Sequence, residues 1–546
     1  MKRSWRNTGL VLFVAALLVG TLFGHRLLAL DNEARGTLRL YTELIEAAHE
    51  NYGGEISYED LVYASIQGML RTLDPHTAFL PPRDYTDMRD RQQSSFYGLG
   101  IVVSVRNGQL TVISPMEGTP ASRVGIRAGD VINTIEGEPT EKMTLEEAVD
   151  KLKGPKGTEV KITIVRRGLS EPLELSVERD EIPQNSVRLA YMLSPETGFV
   201  QISDFNRSTA EEVATALRDL KAQGMQRLIV DLRNNGGGLL DQAILVSDQF
   251  LPDDAKIVET RGRTRDSKQS YSATDRYDEL GLPVVVLVNR GTASAAEILA
   301  GAVQDHDVGL VVGTPTWGKG LVQTVYNLSY GAGLALTTAK YYTPSGRLIQ
   351  RDYTSFFDYF YYDPQTGEAE AAPEAGGQER EVFYTDTGRE VYGGGGIAPD
   401  VAVEMADVSE FSQYLFAHNA YFDFAVSEQN RNPVTERDWQ PSANLVDRFG
   451  QWLIDEEVAT PQQVREGLAD AATRDFARLQ VHAEIFNAAF GPEARHRVLA
   501  GGDRQIQEAL EQFPRASELL ASRAGKLGGE QAGSAAAGKG KVASEG

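Results

Sequence analysis

The spacing of apolar residues changes several times along the chain, and each change marks a different kind of element. Between residues 33 and 95 they recur at helical intervals. The pattern breaks at Leu73-Asp74-Pro75-His76-Thr77-Ala78-Phe79-Leu80-Pro81-Pro82, where prolines end a helix and open a turn. From about Tyr97 to Asp180 the period shortens towards two. Gly100–Val105 and Gln109–Ile113 read as strands joined through Asn107-Gly108, a hairpin signal. Thr144 and Glu147 predict a capping box, opening a helix with Leu145, Ala148, Val149 and Leu152 on one face. Gly154-Pro155 stops it, and Val160–Val165 alternates as a half-buried strand should. This stretch is a small β-rich module.

Residues 185 to 350 alternate strands with helices, which is an α/β pattern. Gly198–Ile202 and Leu228–Leu232 read as strands, and Ser208–Ala222 as a helix aligning Val213, Leu217 and Leu220. Asn234-Asn235-Gly236-Gly237-Gly238 then precedes a helix over Leu239–Phe250. A triple glycine there serves either as a plain turn or as a place where backbone N–H groups face an anion. Leu282–Val288 reads as a buried strand, Gly291-Thr292-Ala293-Ser294-Ala295-Ala296-Glu297 as a turn, and Ile298–Val303 as a helix. Beyond Val403 the chain is helical again, with stripes at Leu445, Phe449, Trp452 and Leu453, and at Phe476, Leu479, Ala483, Phe486 and Phe490. Residues 522–546, rich in Gly, Ala, Ser and Lys, are expected to be disordered.

Composition narrows the functions. The chain has 546 residues, with 54 basic against 77 acidic side chains and a net charge of −23. Phosphates would be repelled, so no nucleic acid is expected as partner. There is no cysteine, which removes disulfides, zinc–thiolate sites and cysteine nucleophiles. None of the seven histidines forms a His-Glu-x-x-His pair, so neither metal nor other cofactor is expected. Lys2, Arg3 and Arg6 precede an uncharged run from Asn7 to Gly24. As a helix, that run would span roughly 27 Å, close to the thickness of a bilayer core. Residues 1–30 are therefore read as a signal anchor, or alternatively a cleaved signal peptide, that exports the rest of the chain.

Ser294 stands where a strand becomes a helix. With Glu297 three residues on, the stretch by itself reads first as a helix cap, the alternative being a nucleophile exposed at the turn. A Ser/His/Asp triad would need His306 beside Asp305, but twelve helical residues place it roughly 18 Å away. Lys319 is the better base, and Gln323 is placed to orient its amine. A lysine base must be neutral. That requires its pKa of about 10.4 to fall by roughly three units, at a cost of about 4 kcal/mol. Burial beside Trp317 and Leu321 would favour this; the alternative is a surface lysine in a glycine loop. Gly313 to Gly318-Lys319 also matches a phosphate-binding loop, except that Gly320 replaces the magnesium-binding hydroxyl and a strand follows.

Taken together, several motifs resemble the carboxyl-terminal processing peptidases, serine–lysine endopeptidases with an inserted PDZ domain. They are Leu73-Asp74-Pro75-His76, Tyr97-Gly98-Leu99-Gly100, Asp231-Leu232-Arg233-Asn234-Asn235-Gly236-Gly237-Gly238, Gly291–Glu297, Gly318-Lys319-Gly320-Leu321-Val322-Gln323, and Gly395-Gly396-Ile397-Ala398-Pro399-Asp400. The lysine follows the serine by 25 positions (319 − 294), as in that family. The resemblance implies Ser294 as nucleophile, Lys319 as general base and Gln323 as its positioning residue. It also implies Gly237 and Ala295 as oxyanion donors, and an auxiliary acid at Asp305 in some relatives. The implied fold is multidomain α/β: a crotonase-like β/β/α core with an inserted PDZ domain and helical flanks.

The divisions expected are 1–30 anchor, 31–95 helical, 96–180 PDZ, 181–403 peptidase, 404–521 helical and 522–546 tail. The PDZ module would hold the carboxylate of a protein or peptide C-terminus on the N–H groups of Leu99, Gly100 and Ile101. The helix at Leu145–Leu152 would form an apolar slot beside it. The protein would be periplasmic or otherwise extracytoplasmic, held at the inner membrane; a homo-oligomer or an activating partner is left open. A different class of function, a membrane-anchored PDZ scaffold without catalysis, has no chemical use for Ser294, Lys319 and Gln323 together.

Overall fold

A computed structural model describes residues 36–106, 108–274, 281–353 and 381–526. The chain divides into two compact units, residues up to Tyr85 with Gln323–Thr337, and Thr86–Val322 with Thr338 onward.

In the first unit, helices run over 36–51 and Tyr58–Leu70. Ala78–Leu80, expected to be part of a loop, instead pairs antiparallel with Gly333–Ala335. Leu70, Phe79 and Ala332 form its small core. The proline-rich break is an Asp-centred turn. Asp74 accepts the N–H groups of His76 and Thr77, each at 2.8 Å, and the hydroxyls of Thr77 (2.7 Å) and Thr337 (3.1 Å). Burial raises the Asp74 pKa, but these hydrogen bonds outweigh it and hold the carboxyl below its ordinary value. Gln323 lies in this unit and donates to Thr337 Oγ1 at 3.3 Å.

The second unit carries the β-rich module, the α/β core and the C-terminal helices. The module's main antiparallel path runs Ile101–Arg106, Gln109–Pro115, Val131–Ile135, Glu159–Val165 and Leu173–Glu178. Its helix Leu145–Leu152 has the expected capping box, Thr144 N–H to Glu147 at 2.8 Å and Glu147 N–H to Thr144 at 3.2 Å. The apolar face of that helix divides. Ala148 and Leu152 join the module's own core, while Leu145 is exposed and Val149 half-buried. Of the four residues expected to wall a slot, two are therefore core.

The α/β core is a six-stranded sheet in the order Val187–Met192, Thr197–Ile202, Arg227–Asp231, Val284–Val288, Gly309–Gly313 and Val401–Ala402. The first pair is antiparallel and the rest are parallel. All five residues of Val284–Val288 are buried, as a parallel strand covered on both faces requires. Helices Thr209–Ala222, Leu240–Asp248 and Ala295–Asp305 cover one face. Tyr191, Phe199, Ile229, Val285 and Leu287 face the other, which Ile506, Ala509, Phe513 and Ala516 cover from the far end of the chain. Residues 522–526, expected in a disordered tail, instead continue a helix over 513–526. Arg523 is buried there and Lys526 Nζ donates to the Asp386 carbonyl at 2.7 Å, so local composition gives way to packing.

The remaining C-terminal helices, from Glu410–Ala417 to Pro492–Ala500, enclose a core of their own around Phe424, Phe449, Leu453, Val481 and Ile485. Their surface meets the β-rich module. The Arg106 guanidinium lies 4.2 Å over the Phe422 ring, and Arg167 makes two 3.0 Å bonds to Glu456. Among the described residues no helix is long and apolar enough to cross a membrane. The segment read as an anchor, residues 1–30, lies outside them.

Candidate active site

Three turns converge at the C-terminal ends of the central parallel strands, where open α/β sheets place their ligands. The first follows Val284–Val288. Asn289 N–H donates to Thr292 Oγ1 (3.0 Å), Gly291 N–H to Asn289 Oδ1 (2.9 Å), and Thr292 Oγ1 to the Leu232 carbonyl (2.8 Å). This tight turn delivers Ser294 at φ +58° and ψ −118°. A capping serine sits in the β region, whereas a non-glycine residue at positive φ is strained and marks functional turns. Glu297 N–H bonds the Ser294 carbonyl at 2.9 Å, so that orphan amide is satisfied by backbone.

The second turn is Arg233–Gly238, which lies directly on the first. Ala293 N–H donates to the Asn235 carbonyl at 2.9 Å. A Cβ on Gly237, whose φ is +96°, would stand 2.7 Å from Ser294 Cβ and 2.9 Å from the Ala295 amide nitrogen, so only glycine fits. The expected role of Gly237 as an oxyanion donor needs correction. Its N–H donates to Asn235 Oδ1 at 2.8 Å, and Asn235 is fully buried and anchored to the Ile202 carbonyl. Ala295 opens the serine helix, so its N–H has no partner one turn back.

The third turn, Thr316–Gly320, carries Lys319, which is half-buried beside the buried Leu321. Leu321–Asn327 is a strand, so the helix that a phosphate loop opens is not there. The Gly395–Asp400 motif braces the turn: Thr316 N–H donates to the Ile397 carbonyl (3.1 Å), and Ile397 N–H to Thr316 Oγ1 (2.7 Å). Trp317 N–H reaches the Thr292 carbonyl at 2.9 Å.

Glu297 ties the serine turn to the lysine turn. It is fully buried. Its Oε2 accepts the N–H groups of Ser294 (2.7 Å) and Lys319 (2.9 Å), and its Oε1 accepts Thr316 Oγ1 (2.5 Å) and the Gly318 N–H (2.8 Å). Burial pushes its pKa up to about 7, with the four donors working against that rise. Tyr341, also buried, places its hydroxyl 2.6 Å from the Lys319 carbonyl oxygen and 3.0 Å from that of Ser294. Sequence reasoning took Glu297 only as a cap partner, and no sequence signal marked Tyr341.

Two other candidates are structural. Asp305 ends the serine helix, about 15 Å from its start, in a fully buried pair with Arg347 at 2.7 Å. It is committed there and takes no part at Ser294. His306 caps the same helix end, with Nδ1 2.8 Å from Asp386 Oδ2 and Nε2 2.6 Å from the Lys256 carbonyl oxygen. Because the helix is unbroken from Ala295 to Asp305, His306 is no base for the serine.

In the β-rich module, Ile101–Arg106 is an edge strand, with Val102 and Val105 exposed. Leu99 and Gly100 are buried beneath its start. Gly100 has φ +76°, and a Cβ there would lie 2.3 Å from Thr119 Cβ, so the turn into the strand demands glycine.

A model of peptidase family S41 matches residues 196–355, and a PDZ domain model matches residues 87–165. A carboxy-terminal-processing protease of Bartonella bacilliformis is 40% identical over 319 residues, spanning 57% of this chain and 72% of that one. The carboxyl-terminal-processing protease of a Synechocystis is 39% identical over 300 residues, spanning 53% and 68%. The chain belongs to the carboxy-terminal processing proteases of family S41. As a member it is a serine-type processing protease with a PDZ domain, and both domains fit a protein or peptide substrate. A carboxy-terminal processing protease of Bacillus subtilis is 34% identical over 307 residues, spanning 56% of this chain and 65% of that one.

The Glu297 network makes two outcomes measurable. In Glu297→Gln the amide NH2 must face N–H or hydroxyl donors, a conflict worth about 1–3 kcal/mol. Peptide cleavage should fall about a hundredfold while thermal unfolding shows a folded protein. A carboxyl raised from 4.5 to about 7 binds its proton more tightly when folded, so its contribution is present below its unfolded pKa and lost as pH rises through 7. Wild type should therefore lose about 3 kcal/mol relative to Glu297→Gln between about pH 5 and 8, measured by denaturant unfolding.

Proposed function

We propose that the protein is an exported endopeptidase that cleaves protein substrates near their C-termini with a Ser294–Lys319 dyad. The observation that carries this reading is the Glu297 carboxyl group, which holds a positive-φ serine and the lysine turn in one buried network. In this reading Ser294 Oγ attacks the scissile carbonyl while the neutral Lys319 amine takes its proton. The lysine returns that proton to the leaving amine, then activates the water that releases the acyl group. Gln323, four residues further along the strand Leu321–Asn327, positions the lysine. The Ala295 N–H, at the start of the serine helix, faces the developing oxyanion. No step calls for a metal or cofactor.

Substrate choice belongs to the PDZ domain. The tail of the substrate adds as a strand beside Ile101–Arg106, with its carboxylate at the Leu99-Gly100-Ile101 turn and its last side chain between Leu145 and Val149. Residues 1–30 anchor the protein in the inner membrane with the body on its outer, periplasmic side.

Lys319→Arg should be inactive though folded, because arginine keeps its charge and cannot act as base. Ser294→Ala should be equally inactive. Robust cleavage of a peptide by purified Lys319→Arg would remove the dyad reading.

Amidating the C-terminus of a peptide ending in small or apolar residues should weaken its binding about tenfold, through loss of the charge-assisted hydrogen bonds. Fluorescence polarisation with matched free and amidated peptides measures this, and equal affinities would refute carboxylate recognition.

For location, alkaline phosphatase fused after residue 40 should be active in cells, and deletion of residues 1–30 should abolish that activity. An inactive fusion with the intact N-terminus would contradict export.

A further inference from the structure

The glycine turn on which the Ser294 loop lies is itself held by a segment far outside the matched peptidase model, which ends at residue 355. Arg233 begins the turn and is about one-tenth exposed. On one side its Nε and Nη2 bond both oxygens of the buried Asp231, at 2.9 and 2.8 Å. On the other, Nη1 bonds Asp503 Oδ2 at 2.7 Å and Gln505 Oε1 at 3.0 Å. Gln505 is fully buried and its Nε2 is fixed on the Val403 carbonyl at 2.7 Å. Burial works against the Arg233 charge, but Asp231 and Asp503 outweigh it and push the guanidinium pKa up. A charge held from two directions has one position. From Arg233 the chain passes directly to Asn234, whose N–H bonds Asn289 Oδ1, and to Asn235, whose carbonyl receives the Ala293 N–H.

The geometry points to Asp503 and Gln505 as positioning residues for the peptidase, acting through Arg233 to seat the glycine turn against Ser294. This rests on Ser294 being the nucleophile, and it gives the C-terminal region a part in the reaction besides packing. Asp503 divides its labour between its two oxygens. Oδ1 caps the helix Arg504–Glu511 by accepting the N–H groups of Gln505 (2.9 Å) and Ile506 (3.1 Å), and Oδ2 takes Arg233. Asparagine caps as well as aspartate, but with its oxygen on the cap its NH2 must face the guanidinium, donor against donor. Asp503→Asn therefore keeps the helix and breaks the brace. Asp503→Ser likewise retains a cap and leaves Arg233 without this acceptor.

The test compares these two variants with Gln507→Ala on the same helix, which removes a 2.8 Å bond to the Ala500 carbonyl at the end of the preceding helix without touching Arg233. Full-length protein is assayed for kcat and KM on a peptide substrate, for the rate of Ser294 labelling by a peptidyl phosphonate, and for Tm. Asp503→Asn and Asp503→Ser should lower kcat and labelling about tenfold together, with KM within about twofold, because a small displacement at the reacting atoms costs rate rather than affinity. Gln507→Ala should keep kcat. Wild-type kcat in both Asp503 variants would overturn the inference. An equal kcat loss in Gln507→Ala at matched Tm would overturn it too, since the effect would then be loosening of the helix. Ser294→Ala is assayed alongside. If it still cleaves, the nucleophile assignment fails; if it is inactive while the Asp503 variants are not, only the brace fails.

Discussion

The Glu297 carboxyl group is the constraint on which the site depends. Serine and lysine come from loops that follow different strands, Val284–Val288 and Gly309–Gly313. One buried carboxyl group receives a donor from each, and two more from the lysine turn, so moving either loop strands a polar group in a water-free interior. An unsatisfied buried donor costs about 1–3 kcal/mol, and four such donors share one acceptor group here. The same burial that makes the arrangement rigid brings the carboxyl's pKa to about 7, so the geometry is tied to the protonation of this one buried group. Tyr341 adds a second link between the same two loops through their carbonyls.

Much of the fold was legible because its elements are locally determined. The Val284–Val288 strand, the module's capping box at Thr144 and Glu147, and the edge strand after Gly100 all follow from period, cap chemistry and a glycine that no other residue could replace. The central residues Ser294 and Lys319 were visible as motifs, and their loops do meet. What the sequence did not disclose is what joins those loops. Glu297 satisfies two patterns at once, a cap partner at three residues' distance and an acceptor for a loop 22 positions on, and only the first has a local signature. Gly237 failed as a donor for a related reason. Its need for glycine is a matter of close approach, while the fate of its N–H depends on the Asn235 side chain, which turns back onto it.

Asp305 shows the opposite error. A carboxylate in the helix after the serine invites a catalytic reading, yet it sits with Arg347 in a pair from which water is excluded. Such a pair is retained because losing either partner would leave a bare buried charge, not because it adds much stability over apolar packing. Composition misled at residues 522–526 for a similar reason. Small and polar residues predict disorder when they have nothing to cover, but this stretch continues a helix whose Phe513 and Ala516 lie on the sheet.

That sheet explains why the C-terminal region is no appendage. The strand leading to Ser294 carries Val284, Val286 and Val288 towards one face and Val285 and Leu287 towards the other. The serine helix and its neighbours can cover only the first. Val285 and Leu287, with Phe199 and Ile229 on adjoining strands, need a second layer, and Ile506, Ala509, Phe513 and Ala516 supply it. Without it, the strand would present a wide apolar face to water next to the turn whose backbone must hold Ser294 at positive φ. The first of the two helices providing this cover, Arg504–Glu511, is capped by Asp503, the residue that also grips Arg233. One C-terminal segment therefore closes the hydrophobic layer and fixes the charge at the end of the strand beside it, so the glycine turn against Ser294 and the cover over its sheet depend on the same stretch of chain.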